Sequence, residues 1–314
     1  MTPPTILLVG TWDTKSDELS FLREVLLAQG GQVRAMDVSV LGEPAAPVDI
    51  DKHQVAAAAG TTIARVIGSP DEHHAMQDLA RGAVAVVRQL CDAGQVQGVL
   101  VLGGTMGTDL ALDLCQAVPL GLPKYIVSTV SFSPMLPPER IPSDVQMILW
   151  AGGLYGLNAI CKSALSQAAG AVLGAARAAI SPRTTRPMIG MTSFGKTVLN
   201  YMVRLKPALE ARGFDVAVFH ATGMGGRAFE DLAAKGAFAA VLDFAPQEVG
   251  NHLFGSAISA GPDRLTAAGL QGGKAEQSRP QASTREAHAR ARKSLGGGAA
   301  QDVQSCGRVG DACR

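Results

Sequence analysis

Four glycine- and threonine-rich segments of this chain each follow a short apolar run and precede a helix-like stretch. They are Gly10–Lys15, Gly103–Asp109, Gly190–Thr197 and Ala221–Asp231. In parallel α/β folds such a segment joins the carboxyl end of a strand to a helix N-terminus, whose free backbone N–H groups attract anions. The residue types and their positions therefore predict loops that bind phosphate.

The first segment, GTWDTK, carries three kinds of group that suit a nucleotide. Its threonine hydroxyls could bind phosphate, Asp13 could bind a ribose hydroxyl or Mg²⁺, and Lys15 could pair with a phosphate charge. An ordinary turn is an equal alternative, in which Thr14 or Ser16 caps the following helix. The residues alone do not choose between the two.

The second segment, GGTMGTD, offers close backbone approach through its glycines and extra donors from Thr105 and Thr108. A tight turn without a ligand is the alternative. The spacing is not G-x-G-x-x-G, and no acidic residue closes the following strand. An NAD site is therefore disfavoured.

The third segment, GMTSFGKT, matches the P-loop pattern G-x-x-x-x-G-K-T, and Asp243 after a later apolar run could bind Mg²⁺. A P-loop domain needs a full parallel sheet, and too little globular sequence follows the motif to supply one. We therefore expect a phosphate-facing loop of another type, in which Lys196 is not a P-loop lysine.

In the fourth segment the glycines again allow close approach to phosphate, and His220 before it is expected to be a hydrogen-bonded structural histidine rather than a base.

The same order of elements occurs twice, which indicates the fold class. Residues 6–40 and 188–222 both read as strand, polar loop, amphipathic helix and strand. This alternation predicts an α/β fold of two Rossmann-like lobes with parallel sheets, the second lobe incomplete. The linker-like Ser181–Pro187 separates them. The expected domains are residues 1–182 and 183–269, followed by a polar tail, 270–314, that is expected to be disordered.

The composition argues against several classes of protein. The 314 residues carry a formal net charge of +1 and 4% aromatic residues, so neither a basic nucleic-acid surface nor a stacking platform is expected. Five scattered cysteines are typical of free thiols in a reducing cytoplasm. No leader or membrane span is expected, because the first strand begins at Ile6 and polar residues interrupt the apolar stretch Ala164–Ile180. The expected location is cytoplasmic.

Several motifs together resemble one known family. They are ILLVGTWDTKSDE, VLVLGGTMGT, the GLN of Gly156–Asn158, IGMTSFG, VFHATGMGGRAFE, VLDFAPQEVGNHLFG and SAGPDRL. In this order they resemble the tomato mosaic virus resistance protein-like ATP-binding family. The resemblance implies two Rossmann-like lobes that bind ATP between them, in a protein that is usually a homodimer.

The resemblance also implies that loops of both lobes contact ATP. The residues concerned are Gly10, Thr11, Asp13, Thr14, Lys15, Gly103, Gly104, Thr105, Gly107, Thr108, Thr192, Ser193, Gly195, Thr197, Thr222, Gly223, Gly225 and Gly226. Mg²⁺ is a candidate companion of the nucleotide. The protein would then be either an enzyme that uses ATP on a small metabolite or a non-catalytic protein whose interactions the nucleotide controls. Asp13, His220 and Asp243 are the candidate bases or nucleophiles of an enzyme.

The chain departs from the family pattern at two places. Val130–Glu139 differs from the Ser/Gly/Asp-containing segment of many members, and an unrelated tail follows SAGPDRL, where the family continues with a strand and a GA-x-D-x-V-x-F motif. A frameshifted C-terminus would explain the tail. Members often lack a lysine at the position of Lys196, which agrees with an accidental P-loop match.

Overall fold

The chain divides into two compact units, Met1–Arg183 and Thr184–Arg314. A computed structural model describes residues 2–180, 182, 185–256 and 258–267. The tail 270–314, with the expectation that it is disordered and arose by a frameshift, lies outside the described residues and stays a prediction.

The first unit contains one parallel sheet with helices on both of its faces. Its strands are β1 (Thr5–Gly10), β2 (Gln32–Asp37), β3 (Gly98–Gly103), β4 (Lys124–Ser128) and β5 (Gln146–Leu149). Its helices are α1 (Ser16–Ala28), α2 (Lys52–Ala58), α3 (Ile63–Ile67), α4 (Glu72–Asp92), α5 (Thr105–Ala117) and α6 (Ala159–Ala178), with a 3-10 turn at Pro138–Arg140. The strand order is β2-β1-β3-β4-β5 and every pairing is parallel. This arrangement is the doubly wound α/β fold that the sequence predicts.

The continuous apolar runs of β1 and β3 form the centre of this unit because both faces of the sheet are covered. Leu7 and Val9 point into a core shared with α4 and α5, and Ile6 and Leu8 point into the opposite core, shared with α1 and α6. Helix α6 is long and apolar enough to cross a membrane by length and composition. It nevertheless packs through residues such as Leu165 on the second of these cores.

The second unit repeats the pattern with fewer described strands. It contains β6 (Met188–Ser193), α7 (Gly195–Glu210), β7 (Asp215–His220), α8 (Met224–Ala234), β8 (Ala240–Asp243) and α9 (Gln247–Leu253). Its parallel sheet has the order β7-β6-β8. Only the central strand β6 is mostly buried, whereas β7 and β8 stay half-buried or exposed along their lengths. Two α/β units with parallel sheets confirm the expected fold class.

Candidate functional site

Two of the predicted loops lie side by side in the first unit. Strand β1 pairs with β2 on one side and with β3 on the other, so the chain leaves the ends of β1 and β3 in opposite directions. Val9 pairs with Val101, and a Cβ on Gly10 would lie 3.2 Å from the carbonyl oxygen of Leu102. Gly10–Lys15 and Gly103–Thr108 therefore border the point where the strand order reverses, which is where open α/β sheets bind ligands.

The helices that follow the four predicted loops all begin without a side-chain cap. The N-cap residues are Lys15 for α1, Gly104 for α5, Phe194 for α7 and Gly223 for α8, and none of these makes a side-chain cap hydrogen bond. The alternative in which Thr14 or Ser16 caps α1 is therefore wrong. At α8 the carboxylate of Glu248 accepts a hydrogen bond from the N–H of Gly223 instead. A helix start without a side-chain cap can bind an anion through its first backbone N–H groups.

Other helices of the first unit differ in this respect. Asp71 caps α4, and Asn158 accepts hydrogen bonds from two backbone N–H groups at the start of α6. The short helices α2 and α3 are capped by Asp51 and Thr62. In the second unit the seven-residue helix α9 also begins without a side-chain cap. Among the described helices of eight residues or more, missing caps coincide with the loops that the sequence selected.

A small cavity opens beside the start of α5. It has a volume of about 170 Å³ and is lined by His73, Thr105, Met106, Asp109, Val130, Met135 and Leu136. The first-turn residues Thr105 and Met106 of α5 thus line the same concave surface as His73, which is exposed. No spacing rule links His73 to the GGTMGTD segment, so only the packing of α4 against α5 could reveal the contact. One wall of this cavity is formed by Val130–Glu139, the segment that departs from the family pattern.

The polar groups of the first loop fall into two sets. Thr11 and Thr14 join their hydroxyls at 3.1 Å, and Lys15 places its ammonium 3.5 Å from the Thr14 hydroxyl at the protein surface. Asp13 instead accepts a hydrogen bond from the Gly42 N–H at 3.1 Å through Oδ2, and its own N–H donates to Ser39. Asp13 therefore fastens this loop to the segment after β2, whereas the threonines and Lys15 remain accessible to a ligand.

Asp37 ends β2 at the position where dinucleotide-binding folds place the carboxylate that binds ribose. Here it is fully buried and accepts hydrogen bonds from the Trp12 N–H at 3.1 Å and the Ser39 N–H at 3.0 Å. Burial raises the pKa of Asp37 above its ordinary value, against the lowering effect of its hydrogen bonds to Ser39 and Trp12. The Gly10–Lys15 loop covers the carboxyl group of Asp37, so this carboxyl group cannot contact a ribose hydroxyl. This is a structural reason to disfavour NAD.

The P-loop match in the second unit does not form a P-loop. Gly190 through Ser193 belong to β6, and the strand is paired with β7 as far as Ser193. Helix α7 starts at Gly195, so Phe194 alone separates strand from helix. A P-loop needs a multi-residue turn whose N–H groups surround phosphate. The residues that would form that turn are extended here, which agrees with the expectation that Lys196 is not a P-loop lysine.

Thr192 and Asp243 connect the ends of β6 and β8. The Thr192 hydroxyl lies 2.6 Å from Asp243 Oδ1 and accepts hydrogen bonds from the N–H groups of Phe244 and Ala245. Asp243 is also paired with the guanidinium of Arg264. The buried Thr192 hydroxyl is therefore engaged within the protein. Asp243, a candidate base or Mg²⁺ ligand from the sequence, is neutralised by an arginine that the sequence analysis did not single out.

Several of the predicted ligand-contacting glycines are required by packing. A Cβ on Gly103 would lie 2.5 Å from the backbone of Gly107, and one on Gly225 would lie 1.8 Å from the carbonyl oxygen of His220. A Cβ on Gly226 would meet the carboxylate of Glu248 at 1.8 Å. Gly104 differs, because its Cβ would have Thr129 Oγ1 as nearest atom, at 4.0 Å. Among these glycines, only Gly104 has open space beside it that a ligand could use.

The predicted residues therefore separate by accessibility. Those that are exposed or half-buried are Thr11, Asp13, Thr14, Lys15, Gly104, Thr105, Gly107, Gly195, Thr197, Thr222 and Gly225. Those that are buried are Gly10, Gly103, Thr108, Thr192, Ser193, Gly223 and Gly226. Thr108 uses its hydroxyl inside the protein, on the Gly104 carbonyl and the Ser128 hydroxyl. His220 is exposed, with its ring 6.0 Å from that of Phe194, and its role as a structural histidine stays a prediction.

Comparison with known proteins places both units in one family. The model of the Uncharacterised protein family (UPF0261) N-terminal domain matches residues 4–181, and that of the UPF0261 C-terminal domain matches residues 186–272. A UPF0261 protein of Brucella suis is 57% identical over 262 residues, which are 83% of this chain and 63% of that protein. A UPF0261 protein of Clostridium tetani is 35% identical over 268 residues, which are 85% of this chain and 66% of that protein.

A more distant relative carries a name of its own. The ToMV resistance protein Tm-1(GCR237) of Solanum lycopersicum is 29% identical over 288 residues, covering 84% of this chain and 38% of that protein. This chain thus spans less than two thirds of the length of the bacterial relatives compared above. Because the N-terminal model alone covers more than half of the chain, the protein belongs to the UPF0261 family.

Proposed function

We propose that this protein binds ATP, with its phosphates at helix starts that follow the carboxyl ends of parallel strands. The observation that supports the proposal is the coincidence of the four predicted loops with four uncapped helix starts. An uncapped helix start combines free N–H donors with the positive end of the helix dipole, and both favour a phosphate. In the first unit two such starts border the point where the strand order reverses.

The accessible side chains of the first unit suit a triphosphate. Lys15 supplies a positive charge, and the hydroxyls of Thr11, Thr14 and Thr105 supply donors of adjustable direction. The 170 Å³ cavity beside α5 has both polar and apolar lining residues and could take a small group next to the phosphates. These features suit a phosphorylated small molecule.

Magnesium would have to arrive with the nucleotide. Asp243 is occupied by Arg264, and the free oxygen of Asp13, Oδ1, is buried without a hydrogen-bond partner in the described part of the chain. Both carboxylates are thus already engaged within the protein. Mg²⁺ bound to ATP keeps several waters and needs few protein ligands, so this arrangement is compatible with an Mg–ATP complex.

A nucleotide-controlled interaction protein is the alternative to an enzyme. Of the three candidate bases, Asp13 and Asp243 are held by the protein itself, and His220 is exposed. That engagement of the carboxylates favours binding without turnover. Product analysis after incubation with ATP and candidate metabolites separates the two, since an enzyme would release ADP or AMP. A cytoplasmic homodimer remains the expected context.

Calorimetric titration tests the proposal. We expect Mg–ATP to bind and NAD to bind far more weakly, because dinucleotide-binding folds depend on a strand-end carboxylate for the ribose and Asp37 is buried here, whereas the proposed ATP site depends on phosphate contacts. Equal or tighter binding of NAD would contradict the proposal, as would the absence of any heat with ATP in a sample shown to be folded by circular dichroism.

Lys196→Ala is expected to change ATP affinity by no more than about threefold. A P-loop lysine binds phosphate as a point charge, so its loss would remove most of the affinity. Here the P-loop turn is absent and Lys196 is exposed. Arg204→Ala, which removes an exposed charge elsewhere on α7, is the matched control. A loss of about a hundredfold for Lys196→Ala alone would restore the P-loop interpretation.

A further inference from the structure

Phe132 is an exposed aromatic residue in a strained backbone conformation. Its φ is 63°, in the left-handed region that favours glycine, and the residue is 77% exposed. Of the other non-glycine residues that the structure describes, Leu265 alone has a positive φ. An exposed ring adds little to the core, so packing does not account for the strain. Strained backbone of this kind clusters at active sites and ligand clamps.

The loop that carries Phe132 is fixed on both sides of this residue. Ser131 is 4% exposed and donates its hydroxyl to the carbonyl oxygen of Ile148 at 3.3 Å. Arg140, at the other end of the loop, donates to the carboxylate of Asp113 in α5 at 2.7 Å. The surrounding structure therefore imposes the φ of Phe132 and directs its ring toward solvent.

The same loop forms one side of the cavity beside α5, to which it contributes Val130, Met135 and Leu136. The cavity volume of about 170 Å³ exceeds the volume of about 150 Å³ that is enough to bind benzene in an apolar cavity. Met106 of α5 also lines it, so thioethers stand on two sides. Methionine sulfur makes favourable contacts with aromatic rings. The cavity therefore suits one aromatic ring.

The remaining lining residues are polar and come from the two helices. They are His73 of α4 and Thr105 and Asp109 of α5. The charge of Asp109 is compensated by an ion pair with Arg140, whereas His73 and Thr105 are exposed. An imidazole and a hydroxyl can each donate or accept a hydrogen bond. An aromatic ring with nitrogen atoms on its edge would match both the apolar and the polar lining.

We propose that this cavity binds the adenine ring of the nucleotide and that Phe132 stacks on that ring. The inference rests on the proposed ATP binding, of which it names the base-binding part. Adenine is the aromatic part of ATP, and its edge carries both donors and acceptors. A base that stacks on Phe132 gives the exposed, strained ring a contact that the protein itself does not supply. Residues 130–139 depart from the family pattern, so this wall is a feature of this chain.

Calorimetric titration with ATP and with tripolyphosphate tests the stacking. Phe132→Gly is expected to weaken ATP binding about tenfold, because base stacking on an aromatic side chain contributes about this factor. Its affinity for tripolyphosphate, which has no base, should stay unchanged. Glycine adopts a φ of 63° without strain, so urea unfolding should show no loss of stability. Tyr155→Ala removes another exposed ring, outside the cavity lining, and should bind both ligands as the parent does.

Photolabelling with 8-azido-ATP tests the location of the base directly. The reactive azide is attached to the purine ring, so the labelled peptides identify what surrounds the base. We expect label within residues 105–109 or 130–136 of the parent, and we expect an excess of ATP to suppress it. Phe132→Gly should be labelled less at the same concentration.

The outcomes separate this inference from the proposed function. If ATP and tripolyphosphate bind the parent equally well, the phosphate site stands and the adenine site is overturned. Label confined to peptides outside residues 105–109 and 130–136 would also overturn it, as would equal losses of ATP and tripolyphosphate affinity in Phe132→Gly. If folded parent protein binds neither ligand, the proposed function itself fails and this inference falls with it.

Discussion

A Gly104→Asp variant is expected to bind ATP about tenfold to a hundredfold more weakly than the parent, while its free energy of unfolding stays equal or rises. Gly104 is the N-cap residue of α5 and has no side chain to satisfy the N–H groups of the first turn. An aspartate there would accept those hydrogen bonds, as N-cap aspartates do in other helices, and stabilise the helix by a few tenths of a kcal/mol relative to glycine.

The same carboxylate would compete with phosphate for these donors. A hydrogen bond to a charged group contributes about 1.5–3 kcal/mol, and a like charge at the helix start adds repulsion, which accounts for the expected loss. The backbone accommodates the change, because Gly104 has a φ of −76° and a Cβ would have no neighbour nearer than 4.0 Å. Stability and affinity should therefore move in opposite directions.

Two controls make this result specific. Gly104→Ser provides a neutral cap and should weaken binding less than aspartate. Asn158→Asp adds the same charge at the start of α6, which Asn158 already caps, and should leave ATP affinity unchanged. Unchanged affinity in Gly104→Asp would place the phosphates elsewhere. A folded Asn158→Asp variant with the same loss would indicate a general charge effect rather than a site at α5.

The parallel sheets and most of their helices follow from local sequence patterns. Strands β1 and β3 are continuous apolar runs because both faces of the sheet are covered, and such runs are visible without a structure. The sequence patterns do not predict two short helices, α2 (Lys52–Ala58) and α9 (Gln247–Leu253). At seven residues each they are too short to display a helical period clearly. Their stability depends on packing, and in α2 also on the Asp51 cap, rather than on propensity.

The candidate site is less predictable because its decisive contacts join distant residues. The four loops could be selected from glycine and threonine after apolar runs, but the capping state of each helix depends on backbone geometry. Arg264 meets partners 16 to 34 residues away, with no regular spacing. His73 reaches the cavity beside α5 only through helix packing. A motif therefore locates a loop, and tertiary contacts decide which of its groups remain available.

Glycines illustrate this limit most clearly, and Gly225→Ala is expected to lower the free energy of unfolding of the second unit by about 1–3 kcal/mol. A Cβ at this position would lie 1.8 Å from the carbonyl oxygen and 2.7 Å from the carbonyl carbon of His220. Both are backbone atoms at the end of β7, so neither can move aside as a flexible side chain would. Relief requires that α8 shift away from the strand, which disturbs the Gly223 contact with Glu248.

The matched control is Gly250→Ala in α9, where a Cβ would meet nothing within 4 Å. Alanine is the better helix former, so this variant should gain up to about 1 kcal/mol. Urea unfolding of both variants without ligand measures the difference. If Gly225→Ala were as stable as Gly250→Ala and lost only ATP affinity, Gly225 would be a ligand-contact glycine, as the motif alone suggests. The expected result instead assigns the glycine to the close approach of α8 and β7, which places the N-terminus of α8 at the edge of the sheet.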